Sequence, residues 1–171
     1  LARAAAEAGV RIFEDSRVIK LEAGTNPVVS TAHGTVKARF VVTAGNAYLG
    51  KLVPSLYHRV MPVSSFILAT VPLGESQARA LIRDDDAVSS STNIVDYFRL
   101  SADGRMLFGG RANYSGYEPA DLFSYMRPRM LKVFPQLAGV ELDFCWGGKL
   151  AITLDRLPHV GSIDGNIFFA H

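Results

Sequence analysis

The sequence of 171 residues has one cysteine, one tryptophan and almost no net charge. Cys145 has no second cysteine with which to form an internal disulfide, and a reducing compartment, the cytoplasm, is therefore predicted. Lys and Arg number 18 and Asp and Glu number 16, which gives a formal net charge of +2. Because these charges are scattered along the chain, the sequence does not favour binding to nucleic acid.

Long apolar runs are also missing. The longest, residues 60–73, is interrupted by Pro62, Ser64 and Ser65 and is shorter than the roughly 18 to 20 residues of a membrane helix. We therefore predict no membrane association. The four histidines lie far apart, and their spacing predicts no metal site: His33, His58, His159 and His171. Motifs typical of serine hydrolases, phosphate-binding loops and GxGxxG dinucleotide sites are absent.

The residues that are present predict a mixed fold of helices and strands. A composition of 49% hydrophobic and 20% charged residues is typical of globular domains. An Ala-rich helix at residues 2–8 begins without a capping residue, which we interpret as the middle of a helix and hence a fragment of a longer chain. A hairpin over residues 28–42, a strand over 59–73 and a hairpin around Asp103-Gly104 are predicted next. The prediction ends with a helix after Pro119 and with strands over residues 142–148, 150–154 and 166–170.

The predicted strand ends in three apolar residues, 40–42, and we expect this end to be buried on both faces. Small residues follow it. Thr43, Ala44 and Gly45 lead from this strand towards Tyr48, and such small side chains permit a ligand to approach the backbone. A cofactor is one interpretation of this turn.

Two aromatic segments are candidates for a ligand pocket. Alternation along a strand places Tyr97 and Arg99 on one face, and an ordinary amphipathic strand is the alternative. Trp146 precedes Gly147 and Gly148, which we expect to leave room for a planar ligand. Core packing of the tryptophan is the alternative here.

Several segments, taken in order, resemble the FAD-dependent amino acid/amine oxidase (DAO) family, closest to its gamma-glutamylputrescine oxidoreductase branch. They cover residues 41–48, 97–110 and 146–161, and the resemblance extends over nearly the whole chain. Members are longer, with a GxGxxG segment before the matching region and a glycine-rich segment after it. The resemblance implies an α+β or α/β fold that combines part of a discontinuous FAD-binding domain with a substrate domain built on a mixed, largely antiparallel sheet. It assigns residues 1–52 and 148–171 to the FAD-binding domain and 53–147 to the substrate domain.

The resemblance also implies non-covalent FAD in a site that this chain forms only in part. No cysteine occurs between Gly147 and Asp155, where some members attach their flavin. The expected cofactor-binding residues are Val18, Thr43, Ala44, Gly45, Tyr48, Pro158 and Gly161. The remainder of the longer chain is the expected protein partner.

At the position of Leu150, amino acid oxidases of the family carry an arginine that binds the substrate carboxylate. A leucine provides no such partner, so the resemblance implies oxidation of a small-molecule amine to an imine by hydride transfer to FAD. The flavin performs the chemistry, so no catalytic side chain is expected. The expected substrate-binding residues are Tyr97, Arg99, Trp146 and Leu150.

Two alternatives remain from the sequence. A D-amino acid dehydrogenase or glycine oxidase-like enzyme requires Arg99 or Arg111 to replace the missing arginine. A cofactor-free binding module is the other alternative, since neither end of the FAD site is present.

Overall fold

A computed structural model describes all residues from Leu1 to His171. The helices are α1 (Ala2–Glu7), α2 (Pro54–Tyr57), α3 (Glu75–Leu81) and α4 (Leu122–Val133). The strands are β1 (Val18–Glu22), β2 (Val28–Thr31), β3 (Thr35–Lys37), β4 (Val41–Thr43), β5 (Val60–Thr70), β6 (Val88–Ser89), β7 (Tyr97–Leu100), β8 (Met106–Asn113), β9 (Leu142–Thr153), β10 (Val160–Ile163) and β11 (Ile167–Ala170). No helix is long and apolar enough to cross a membrane.

The chain divides into two compact units, which we describe separately. Unit 1 comprises Leu1–Val60 and Thr153–His171, and unit 2 comprises Met61–Ile152. These divisions lie further along the chain than the boundaries after residues 52 and 147 that the sequence indicates. The first division lies later because Val53 and Leu56 pack with Leu49 in a small core of unit 1. Which unit binds the cofactor and which the substrate stays a prediction.

Unit 1 contains two three-stranded sheets. Strands β1, β2 and β3 pair in that order and antiparallel, whereas the second sheet has the order β10, β11, β4. In this second sheet β4 is parallel to β11, with Val42 opposite Phe168. The Thr43 hydroxyl strengthens the pair by donating a hydrogen bond to the carbonyl oxygen of Phe168 at 3.2 Å.

The hairpin predicted over residues 28–42 is therefore wrong in its second arm, because that arm is not one continuous strand. It breaks after Lys37, and β4 joins a different sheet. The expected burial of this segment on both faces is also wrong, because β4 is an edge strand in which Val42 is 65% exposed.

Unit 2 is built on one five-stranded sheet with the order β6, β7, β8, β5, β9. The pairings of β6 with β7, β7 with β8 and β5 with β8 are antiparallel, and the Asp103-Gly104 turn joins β7 to β8 as predicted. Helices α3 and α4 cover one face, where buried Phe66, Phe108 and Met126 belong to the core. The opposite face carries Tyr97, and we call it the open face.

Strand β9 corrects the prediction of two separate strands. It runs without interruption from Leu142 to Thr153, through both glycines. The mixed sheets and helices confirm the predicted fold class, α+β.

Candidate functional site

Unit 1 contains a groove with a volume of about 720 Å3 around the end of β4. Its walls are mostly aliphatic and come from β1, β2, β4 and the turn that follows β4. Arg17 and Lys51 bring two positive charges to the lining. The side chains of Ile19 and Tyr48 that line the groove are largely exposed, so this groove is open to solvent.

Tight packing shapes the turn that follows β4. A Cβ atom at Gly45 would lie 3.3 Å from the Cα atom of Leu49, closer than ordinary van der Waals contact. The backbone N–H of Tyr48 donates to the carbonyl oxygen of Gly45 at 3.0 Å, which closes the turn. Asn46 adopts a positive φ of 50°, a conformation that asparagine tolerates better than most residues. The small side chains therefore lie in a defined turn on the groove wall.

Of the expected cofactor-binding residues, five line this groove: Val18, Thr43, Ala44, Gly45 and Tyr48. Pro158 and Gly161 do not line it. Gly161 has a packing reason to be glycine, because a Cβ atom there would lie 2.6 Å from the ring of Phe169. Arg17 and Lys51 also line the groove and are not among the residues expected from the sequence, although basic residues beside an apolar strand and a small-residue turn are a detectable signal for an anionic ligand.

Tyr97 lies across the open face of unit 2 instead of pointing away from it. It is opposite Gly109 in the β7–β8 register, and a Cβ atom at Gly109 would overlap the tyrosine ring. The hydroxyl groups of Tyr97 and Ser65 form a hydrogen bond of 3.2 Å. The tyrosine thus reaches from β7 over β8 to β5.

Arg99 shares the face of Tyr97, as the strand alternation predicts, but its guanidinium has partners. Nη2 of Arg99 lies 3.8 Å from a carboxylate oxygen of Asp85, and Nε donates to the carbonyl oxygen of Leu100 at 3.1 Å.

Arg111 lies on the helix-covered side of the sheet. It is the extra residue of a β-bulge with a φ of 56°, and its guanidinium lies 4.0 Å from the centre of the Tyr125 ring in α4. A bulge redirects the side chain that it carries. Arg111 is therefore turned away from the face on which Tyr97 lies.

Trp146 and Leu150 lie on the open face as well. A Cβ atom at Gly147 would lie 2.7 Å from the Phe66 ring, so Gly147 faces the core and its neighbours face the other way. The expectation that the two glycines leave room for a planar ligand is wrong for Gly147, because Phe66 fills that space, whereas a Cβ atom at Gly148 would meet nothing within 4 Å. Leu150 is 48% exposed and Trp146 is 44% exposed. Core packing therefore does not explain either side chain.

The remaining reactive side chains form no site of their own. Burial raises the pKa of the Cys145 thiol, which disfavours the reactive thiolate. His159 Nε2 lies 3.1 Å from a carboxylate oxygen of Asp155, and a hydrogen bond from the N–H of Leu157 lowers the pKa of Asp155. No group of three or more His, Cys, Asp or Glu side chains is arranged to hold a metal ion.

Known proteins resemble this chain over nearly all of its length. The gamma-glutamylputrescine oxidoreductase of Escherichia coli is 42% identical over 162 residues, which cover 94% of this chain and 38% of that protein. The probable oxidoreductase OrdL of Haemophilus influenzae is 40% identical over 176 residues, covering 100% of this chain and 40% of that protein. The chain thus spans about two fifths of the length of these relatives.

A solved structure, the glycine oxidase from Geobacillus kaustophilus, shares the fold with a TM-score of 0.78 at 22% identity, covering 99% of this chain and 45% of that one. The DAO family, described as FAD dependent oxidoreductase, matches residues 1–171. This match over the full sequence agrees with the order of the segments at residues 41–48, 97–110 and 146–161. The chain therefore belongs to the DAO family of FAD dependent oxidoreductases.

Proposed function

We propose that the intact protein containing this chain is a FAD-dependent oxidoreductase that oxidises a C–N bond of an amine similar to gamma-glutamylputrescine. Support comes from the family membership and from the gamma-glutamylputrescine oxidoreductase of Escherichia coli, which is 42% identical to this chain. The structural observation that carries the preference for an amine is Leu150, which lies exposed and uncharged on the open face of unit 2.

The chemistry of the groove in unit 1 supports a site for part of FAD. Its aliphatic walls and its small-residue turn suit a flat ring system, and Arg17 and Lys51 suit the negative charge of a pyrophosphate. A volume of about 720 Å3 is in the range of sites for small molecules. We propose that Thr43, Ala44 and Gly45 provide the close backbone approach and that the cofactor is held without a covalent bond.

FAD held by Thr43, Ala44 and Gly45 would supply the acceptor for a hydride from the carbon next to the amine nitrogen, and hydrolysis of the resulting imine would give an aldehyde and release the nitrogen as an amine or ammonia. The side chains of unit 2 have a different task. Tyr97 and Trp146 provide apolar surface that orients the carbon chain and excludes water, and Leu150 extends this surface. Pro158 and Gly161 remain proposed cofactor neighbours on the basis of the family resemblance.

A small α-amino acid fits this arrangement less well. Its carboxylate needs a charged partner, and an unpaired carboxylate in an apolar site costs several kcal/mol. Leu150 offers no charge, Arg99 lies 3.8 Å from the carboxylate of Asp85, and Arg111 stacks on Tyr125. An amine without a carboxylate next to the reacting carbon does not need a guanidinium at position 150.

Anaerobic reduction of the bound flavin tests the proposal. The intact protein is mixed with gamma-glutamylputrescine, with glycine and with D-alanine, and the flavin absorbance is followed. We expect rapid bleaching with the first compound and slow or no bleaching with the amino acids. Bleaching by the amino acids alone would support the glycine oxidase-like alternative. A purified protein without flavin, which also takes up none when FAD is added, would support the binding module.

A further inference from the structure

Two Asp-Gly pairs occur in the sequence, and each lies in the turn of a hairpin. Asp103-Gly104 connects β7 to β8, and Asp164-Gly165 connects β10 to β11. An aspartate followed by glycine is susceptible to a spontaneous reaction in which the backbone nitrogen of the glycine attacks the side-chain carboxyl carbon. Glycine favours this attack because it has no side chain to shield its nitrogen. The surroundings of the two pairs therefore decide which of them reacts.

At Asp103-Gly104 both reacting groups are held by hydrogen bonds. The N–H of Gly104 donates to the carbonyl oxygen of Ser101 at 2.9 Å. The carboxylate of Asp103 accepts hydrogen bonds from the hydroxyl of Ser101 and, at 2.7 Å, from Nε of Arg105. These bonds lower the pKa of Asp103 and keep the group ionised, and an ionised carboxylate is a poor electrophile. This pair is therefore protected.

At Asp164-Gly165 neither reacting group has a hydrogen-bond partner: the Gly165 N–H donates to no carbonyl, and the Asp164 carboxylate forms no ion pair. Both residues are exposed, and both have a positive φ, of 52° and 78°. An exposed turn with few restraining contacts opens easily on its own. The nitrogen is thus able to approach the carboxyl carbon.

We propose that Asp164-Gly165 is a site of spontaneous aspartate isomerisation. The nitrogen of Gly165 forms a bond to Cγ of Asp164, and one carboxyl oxygen leaves as water, which closes a succinimide ring. Water then adds back to one of the two ring carbonyls. Opening at the original main-chain carbonyl gives isoaspartate, in which the main chain runs through Cγ. The water lost in the first step is regained in the second, so no oxidant or reductant is needed.

The residue after this pair connects the turn to two other parts of unit 1. Nδ2 of Asn166 donates to the carbonyl oxygens of Gly24 and Thr25, between β1 and β2, at 2.9 and 3.2 Å. The carbonyl oxygen of Asn166 accepts from the N–H of Val41 at 3.0 Å, where β4 begins to pair with β11. Isoaspartate lengthens the main chain by one carbon atom directly before this segment. Isomerisation should therefore displace Asn166 and weaken both connections.

Peptide mapping of the intact protein during storage at neutral pH tests the site. Isoaspartate should accumulate at residue 164 at least about tenfold faster than at residue 103, because the reaction at 103 must first break hydrogen bonds at both reacting groups. In urea, where both turns are unfolded, the two rates should become similar. A rate at 164 no higher than at 103, or a difference that persists in urea, would overturn the proposal.

Two matched variants separate the effect of the backbone from that of the ionised carboxylate. Asp164→Asn and Asp103→Asn provide an uncharged amide, which the same glycine nitrogen attacks with release of ammonia. The hydrogen bond of the Gly104 N–H remains as the main difference, so deamidation at 164 should still be about fivefold faster. Equal deamidation rates in the two folded variants would overturn the protection assigned to that bond.

The thermal midpoint tests the role of Asn166. In stored wild-type protein the midpoint should fall as isoaspartate accumulates, by about 2 °C at full conversion. Asp164→Glu is the control, because its longer side chain closes the corresponding ring far more slowly, and its midpoint should not change with storage. An unchanged midpoint in fully converted wild type would overturn the predicted weakening of the Asn166 contacts.

Discussion

The ring of Phe66 occupies the space beside Gly147 in which any other residue would place its Cβ atom, at 2.7 Å from Cδ1. Phe66 is fully buried in the core of unit 2 and also packs edge-on against Tyr125 of α4. A ring held on several sides has little freedom to yield. Gly147 is thus explained by core packing.

Gly147→Ala is expected to destabilise the intact protein by about 1 to 3 kcal/mol through overpacking. Gly148→Ala is its control, because a Cβ at Gly148 meets nothing within 4 Å. Urea unfolding of both variants and wild type measures the difference. Equal stabilities for the two variants would contradict the packing argument.

The ion pair between Arg129 of α4 and Asp96, which precedes β7, is expected to hold the segment before Tyr97 in place. The side chains are 27% and 17% exposed, and Arg129 also donates to the carbonyl oxygen of Ile94 at 3.0 Å. We expect Arg129→Ala to lower the free energy of unfolding by about 1 to 3 kcal/mol, less than for a fully buried pair. Arg79→Ala, which removes an exposed pair with Glu75, should cost about 0.5 kcal/mol or less. Similar losses in both variants would argue against a special role for Arg129.

Leu150→Arg tests the preference for amines. The position is half-exposed, so the longer side chain is expected to leave the protein folded and loaded with flavin. The new guanidinium repels a cationic amine and offers a partner to a carboxylate. Amine affinity should fall by roughly tenfold, and reduction of the flavin by glycine should become faster. Leu154→Arg, at a more exposed leucine, is the control, and unaltered kinetics in Leu150→Arg would remove Leu150 from the substrate site.

Charge reversal in the groove of unit 1 tests the proposed FAD site. Arg17→Glu and Lys51→Glu replace an attractive charge by a repulsive one, and each should weaken FAD binding by roughly tenfold. The ratio of bound flavin to protein after dialysis is the measurement. Lys37→Glu, on β3 and outside the groove lining, should retain the wild-type ratio. Equal flavin content in all variants would place the pyrophosphate elsewhere.

The pH dependence of stability tests the cap of α4. Hydrogen bonds from the side chain and the backbone N–H of Ser124 lower the pKa of Asp121, whose carboxylate accepts from that N–H at 3.1 Å. Because the folded-state pKa is lowered, the stabilisation is present above the ordinary aspartate pKa and is lost as the pH falls through the folded-state value. Asp121→Ala should therefore lower the thermal midpoint at pH 7, with a gap to wild type that narrows near pH 2.

Asp121→Asn serves as the control for this prediction, since asparagine caps a helix without a charge. Its midpoint should exceed that of Asp121→Ala at both pH values. A constant gap between wild type and Asp121→Ala from pH 7 to pH 2 would contradict the role of the charge.

The sequence by itself determined the features that depend on neighbours along the chain. The turn at Asp103-Gly104 is one example, because glycine at a φ of 79° closes a hairpin between adjacent strands. The alternation that places Tyr97 and Arg99 on one face is another. The order of the short segments was also sufficient to identify the family, which the match over residues 1–171 confirms.

Tertiary structure decided the features that join distant parts of the chain. The parallel pairing of β4 with β11 links Thr43 to Phe168, and no local pattern encodes the partner of an apolar segment of three residues. Gly147 was misread for a similar reason, since the ring that fills its space comes from Phe66 on another strand. The direction of Arg111 depends on a bulge opposite β5. In each case a side chain remote in sequence sets the outcome, because packing and strand pairing act through space.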